Sequence, residues 1–238
     1  MLLHCLGMSH RMWGCLDTLA DSFELITCDF PGHGDAPVPD AAYRIEDLSD
    51  RLAVALRQAG IARAHVLGLS LGGCVAQYLA AETPDLVDRL ILCDTTPCYD
   101  DDARGNWRVR AAAAREYGPT SLLRQVEPVW FTPDYLARQP TPPGLALMRE
   151  SFAACPPEGY ALACEALAVV DLTELMDEIH ARTLVLCGDH ERLAFREAAD
   201  WLAQSIRGAK LAWVPKAAHA SVLEQPAWIA AVLRSFLG

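Results

Sequence analysis

Six short apolar runs, MLLHC, FELITCDF, AHVLGL, RLILCD, RTLVLCGD and AKLAWVP, recur along the chain with helix-like stretches between them. Strands that are apolar at consecutive positions bury both faces, and such strands belong to parallel sheets covered by helices on either side. The connecting segments fit that architecture. Leu48, Leu52, Ala55 and Leu56 recur at helical spacing, which predicts a helix with one face on the sheet, and Gly60 predicts its C-terminal stop. The chain is therefore expected to be α/β with a mostly parallel sheet. Its 238 residues, 52% of them hydrophobic, suffice for one such domain and a small inserted subdomain.

Between residues 97 and 177 the alternation stops. Helix formers and prolines dominate, and QPTPPG at 139–144 and CPPEG at 155–159 punctuate short helical pieces. This segment is expected to be an all-helical cap inserted into a core made of residues 1–96 and 178–238. An insertion between two strands lands at one end of the sheet, where ligands bind in α/β folds.

Charge and hydropathy narrow the partners. With 31 acidic against 20 basic residues the net charge is −11, and no basic block is dense enough to neutralise a run of phosphates, so neither nucleic acid nor an anionic membrane is expected. No apolar stretch reaches membrane-spanning length, and no leader-like pattern opens the chain. The nine cysteines are scattered, without a C-x-x-C pair, and read as reduced, mostly buried thiols. A cytoplasmic protein is expected.

The stretch GLSLG at 68–72 joins an apolar run to a helix-like segment. A residue on a sharp strand-to-helix bend needs tiny neighbours two positions away on each side, and Gly68 and Gly72 supply them. That context makes Ser70 a candidate nucleophile. Serine is a weak nucleophile near neutral pH, so a base must take its proton and a carboxylate must orient that base. His219, in a small-residue loop after the last apolar run, is the candidate base. Asp189 and Glu191 both lie in the loop after RTLVLC and are candidate acids, with Asp94 at the end of RLILCD a third. Oxyanion stabilisation calls for two backbone N–H groups. Leu71 follows the nucleophile, and Leu6 sits between the small Cys5 and Gly7 in the first loop.

Taken together, LHCLGMSHRMW, CDFPGHGDAP, GLSLGG, WFTPDY, PPEGYALACEAL and AAHASVLEQP resemble the α/β-hydrolase fold and, within it, the 3-oxoadipate enol-lactonases. The resemblance implies Ser70 as nucleophile, His219 as base and Leu6 and Leu71 as oxyanion donors. It also ranks Glu191 first among the acids, because Glu191 stands in a length-matched loop where the family carries aspartate. A second departure lies at the amino end, where two of the family's strands have no counterpart. FELITCDF is accordingly expected to form an exposed edge strand.

The resemblance implies hydrolysis of a small carboxylate-bearing lactone or ester through an acyl-enzyme, without metal or organic cofactor. A local cation is then expected in the pocket. The cap arginines Arg104, Arg108, Arg110, Arg115, Arg124, Arg138 and Arg149 are the candidates, with Arg138 singled out and Trp130 expected to wall the pocket. Two other readings stand beside this one: a carboxylesterase or related hydrolase of different substrate, and a catalytically inactive hydrolase fold used for binding.

Overall fold

The computed structural model describes residues 1–238. Five parallel strands form one sheet in sequential order: β1 (Leu2–Leu3), β2 (Ala64–Leu69), β3 (Val87–Cys93), β4 (Arg182–Gly188) and β5 (Lys210–Val214). Three of the runs expected to be buried on both faces are so, with Val66–Leu69, Leu90–Cys93 and Thr183–Gly188 buried at every position, whereas β5, at the edge of the sheet, buries only Val214. Between β1 and β2 lies α1 (Ile45–Gln58), which buries Leu48, Leu52 and Leu56 as expected but Ala53 in place of the exposed Ala55, and ends just before Gly60 with φ +75°. Helix α2 (Leu71–Glu82) follows β2 and packs against both α1 and β2.

The apolar run at 23–30 does not form the expected edge strand. One parallel bridge, Leu2 with Thr27, and the Leu2 N–H bond to the Ile26 carbonyl (2.8 Å) are all that tie it to β1. The reason lies in its neighbour. β1 is only two residues long before the chain turns into a 3-10 helix over His10–Asp21, so no longer ladder is available.

Residues 101–178 hold helices joined by short loops, with no strand, and include a 3-10 turn at Pro119–Leu122. They comprise α3 (Asp101–Tyr117), α4 (Leu123–Trp130), α5 (Pro133–Leu136), α6 (Pro143–Ala154), α7 (Pro157–Leu167) and a closing 3-10 turn, Thr173–Glu178. Helices α3 and α7 pack side by side, pinned by Arg115, which pairs with Glu158 at 2.7 Å and also with Glu165. The two ends of this insertion meet: Leu172 N–H donates to the Pro97 carbonyl (3.0 Å), and Cys98 bridges Asp171. The chain then returns to the sheet through β4, α8 (Leu193–Ser205) and β5, and ends in α9 (Ser221–Glu224) and α10 (Pro226–Leu237). All nine cysteines are free thiols. No helix is long and apolar enough to cross a membrane.

Candidate active site

Ser70 sits between β2 and α2 with φ 52° and ψ −112°, a left-handed backbone that L-residues rarely adopt. A Cβ on Gly68 would collide with the Gly72 carbonyl, and one on Gly72 with the Leu3 carbonyl, so the bend closes only with glycine at both places. Neighbouring backbone holds it in place. Ser70 N–H donates to the Cys93 carbonyl (3.0 Å), and Thr95 Oγ1 donates to the Ser70 carbonyl (2.8 Å). Such strain persists only where the surroundings over-determine it, and it holds the hydroxyl at the mouth of the sheet.

The loop after β5 brings a histidine to that hydroxyl. His219 Nε2 lies 3.0 Å from Ser70 Oγ, and His219 Nδ1 is hydrogen-bonded to Glu191 Oε2 in the loop after β4. All three residues are buried. Burial opposes ionisation of Glu191, but the charge and hydrogen bond of His219 together with the N–H and charge of Arg192 outweigh it and hold the carboxyl below its ordinary range. The second oxygen, Oε1, accepts from the Arg192 N–H (2.7 Å). With the carboxylate on Nδ1–H, the imidazole presents Nε2 as an acceptor to the hydroxyl. The two amides expected to receive the oxyanion belong to buried residues and have no intramolecular acceptor. Leu71 opens α2, so its N–H lies outside the helical ladder, and the N–H of Leu6 donates to no protein acceptor.

The sequence pattern of the alpha/beta hydrolase family matches residues 1–232. The chain belongs to that family. Among its relatives, 3-oxoadipate enol-lactonase 2 of Acinetobacter baylyi is 29% identical over 93% of this chain and 81% of its own length. A crystal structure of the enol-lactonase from Burkholderia xenovorans LB400 superposes with a TM-score of 0.93 at 34% identity, covering 99% of this chain and 89% of that one. The pimeloyl-[acyl-carrier protein] methyl ester esterase of Nitrosomonas europaea is 27% identical over 95% of this chain and 90% of its own.

In this alpha/beta hydrolase the other acid of the loop, Asp189, turns away from His219. It accepts from Ala217 N–H (3.3 Å) and pairs with His190 (2.6 Å), bracing the loop. Asp94, weighed as a third acid, is bonded elsewhere as well. It is buried with φ 44°, and its carboxylate accepts from Gly188 N–H (2.8 Å), at the root of the Glu191 loop, and from Ser221 Oγ, two residues past His219. Burial first, and the charge of Glu191 second, push its carboxyl up to about 7.

Sequence reasoning passed over a further buried carboxylate, Glu224. Its Oε2 accepts from Ala218 N–H (2.6 Å) and its Oε1 from the Thr132 N–H (2.9 Å) and hydroxyl (2.7 Å), tying the histidine loop to the turn between α4 and α5. Glu224 stands within AAHASVLEQP, where its place beside the histidine was the one available signal.

A cavity of about 150 Å³ opens over Ser70 and His219, lined by Trp107, Arg110, Gln125, Val126, Val129, Trp130, Arg192 and Phe195. Trp130 lies on its wall, 6.0 Å from the His219 ring, and its carbonyl accepts from Ala220 N–H (2.8 Å). Arg138 does not line it. That guanidinium lies over the Tyr135 ring at 4.8 Å, and of the seven candidate arginines it is Arg110 that lines the cavity.

Proposed function

We propose that the protein is a serine hydrolase that opens a small carboxylate-bearing lactone of the 3-oxoadipate enol-lactone type through an acyl-enzyme. The observation that carries this reading is the unbroken chain of hydrogen bonds from Ser70 through His219 to Glu191 on a strained strand-to-helix bend. Similarity to the two enol-lactonases supports the substrate class.

In this mechanism His219 Nε2 takes the Ser70 proton as Oγ bonds to the lactone carbonyl carbon. The amides of Leu6 and Leu71 receive the developing oxyanion. When the tetrahedral intermediate collapses, the ring C–O bond breaks and the departing enol oxygen takes the proton from His219. The enol then tautomerises to a ketone, which makes opening effectively irreversible. A water molecule, deprotonated by the same histidine, attacks the acyl carbon and frees Ser70. Glu191 stays ionised throughout and stabilises the imidazolium. No step calls for a metal or organic cofactor.

In this reading residues 97–177 form the cap over a core of 1–96 and 178–238, and the small cavity between them selects a small substrate. Nine free thiols support a reducing, cytoplasmic setting.

The test is turnover by the purified protein of 3-oxoadipate enol-lactone, acyl-homoserine lactones and 4-nitrophenyl esters. Ring opening of the enol-lactone with the highest kcat/KM is the expected result. Hydrolysis of simple esters alone replaces it with the carboxylesterase reading, which the methyl ester esterase among the relatives keeps in view. Absence of a fluorophosphonate adduct on folded protein points instead to a binding role.

A further inference from the structure

The His219 side chain bonds to Ser70 and Glu191, but its backbone bonds to nothing: neither its N–H nor its carbonyl has an intramolecular partner. Its neighbours place it. On the sheet side, the Ala217 carbonyl accepts from His190 N–H (2.9 Å) and the Ser221 hydroxyl donates to Asp94. The two residues that flank it directly are held from the opposite side. Ala220 N–H donates to the Trp130 carbonyl (2.8 Å), and Ala218 N–H donates to Glu224, whose other carboxylate oxygen accepts from Thr132. The imidazole is therefore suspended from residues 130–132, the stretch that also puts the Trp130 ring on the cavity wall.

Glu224 is the joint of this arrangement. It is buried, and the donors that reach it are all neutral: the N–H groups of Ala218 and Thr132 and the Thr132 hydroxyl. Burying a carboxylate is costly unless hydrogen bonds offset it, and bonds to an ionised acceptor are about twice as strong as neutral ones. Two elements that share one such acceptor are held at a fixed separation. Glutamine cannot take its place, because whichever way the amide turns, its NH2 group faces a backbone N–H, donor against donor.

We propose that Glu224 is a positioning residue that makes the base part of the cavity wall, so that His219 stays within reach of Ser70 only while residues 130–132 are seated. The proposal rests on the serine-hydrolase reading but makes its own claim, that the base is held through the wall and not by the sheet alone. A shift of about 1 Å in a reacting group is enough to cost about 10²-fold in rate.

The measurement is hydrolysis of 4-nitrophenyl butyrate, with the melting transition, in Glu224→Gln, Thr132→Val, Thr132→Ser and Tyr135→Phe. Tyr135→Phe is the control, since it removes another bond between the same elements, from the Tyr135 hydroxyl to the Leu223 carbonyl (3.2 Å), and leaves the Glu224 bonds in place. Glu224→Gln is expected to lower kcat about 10- to 100-fold with KM within about threefold. Thr132→Val is expected to lower kcat by about three- to tenfold and Thr132→Ser to restore it, while Tyr135→Phe lowers the melting transition and leaves kcat within about twofold. Combining Glu224→Gln with Trp130→Phe is expected to cost less than the sum of the two single losses, because the wall and the base are then already uncoupled.

If Glu224→Gln does not fold, the contrast between Thr132→Val and Thr132→Ser decides. Unchanged kcat in the folded Glu224 and Thr132 variants, or an equal loss in Tyr135→Phe, overturns the proposal. If the unaltered protein neither hydrolyses the ester nor takes a fluorophosphonate, it is the hydrolase reading that fails. The joint is then read from the far-downfield proton resonance of the His219 Nδ1–H bonded to Glu191. Loss of that resonance in Thr132→Val and Glu224→Gln but not in Tyr135→Phe sustains the joint, and a resonance unchanged in all three removes it.

Discussion

The two ends of the sheet are built on opposite terms. At the carboxyl ends of the strands lie all three non-glycine residues with positive φ: Ser70 after β2, Asp94 after β3 and Lys216 after β5. The same end buries Ser70, Asp94, Glu191, His219, Ser221 and Glu224. At the amino ends, Arg63, His65 and Asp88 stand at the rim of an apolar groove of about 450 Å³, with side chains that are partly or well exposed and ordinary backbone. Strained residues cost about 1–3 kcal/mol each, and buried polar groups cost more when left unpaired. One end therefore carries the cost of a fixed polar geometry, and the other shows what the fold does when no such geometry is required.

The strongest way to break that contrast is at Ser70. Ser70→Ala is expected to lower kcat by about 10⁴- to 10⁶-fold and to abolish fluorophosphonate labelling, while the melting transition stays within a few degrees. Residual turnover near the parental rate would move the chemistry away from the bend altogether. Glu191→Gln comes next. It keeps the shape and one acceptor but removes the charge that fixes the imidazole tautomer, for an expected loss of about 10⁴-fold in kcat. Asp189→Asn, measured beside it, is expected to cost less than about tenfold, because Asp189 bonds to His190 and the Ala217 amide rather than to His219.

Asp94 tests whether the buried charge at this end costs stability. Its carboxyl is raised from 3.8 to about 7 in the fold, so the folded state binds a proton that the unfolded state has released. This group therefore favours folding fully below about pH 4, and its contribution is lost as pH rises through 7. Asp94→Asn, which cannot ionise, is expected to flatten the decline in stability between those limits. Denaturant titrations at several pH values measure it, and an unchanged slope would mean that Asp94 does not titrate in this window. Because the carboxylate also joins Gly188 to Ser221, kcat is expected to fall about tenfold through loosened placement of Glu191 and His219.

Much of this arrangement was legible in the sequence because backbone sterics dictate it. Gly68 and Gly72 are required by the bend itself, and the consecutive apolar runs of β2, β3 and β4 lie in strands buried on both faces. What the sequence hid depends on distant contacts. The apolar pattern at 23–30 is that of a strand, but a strand exists only with a partner long enough to pair it, and β1 has two residues. Arg110 and Arg138 look alike in composition. Helix α3 carries Arg104, Arg108, Arg110 and Arg115 and buries only Ala111 and Ala114, so its periodicity is too weak to show which of its arginines faces inward, and Arg138 lies in the loop after α5. The roles of Asp94 and Glu224 rest on bonds that span 94 and 92 residues, which no local spacing encodes.

The smallest effect is expected at the opposite end. Asp88 pairs with Arg63 at 3.1 Å and with His65 at 3.2 Å, and its side chain is 39% exposed. Water and salt already screen such pairs, so Asp88→Ala is expected to change stability by no more than about 1 kcal/mol and to leave kcat/KM within about twofold. The same change also removes a counter-charge from the rim of the apolar groove, so any loss should shrink further in high salt. A loss comparable to that of Asp94→Asn, or a salt-independent one, would mean that the amino ends of the strands also hold charge in a fixed geometry. The contrast between the two ends would then describe exposure alone rather than a division between chemistry and scaffold.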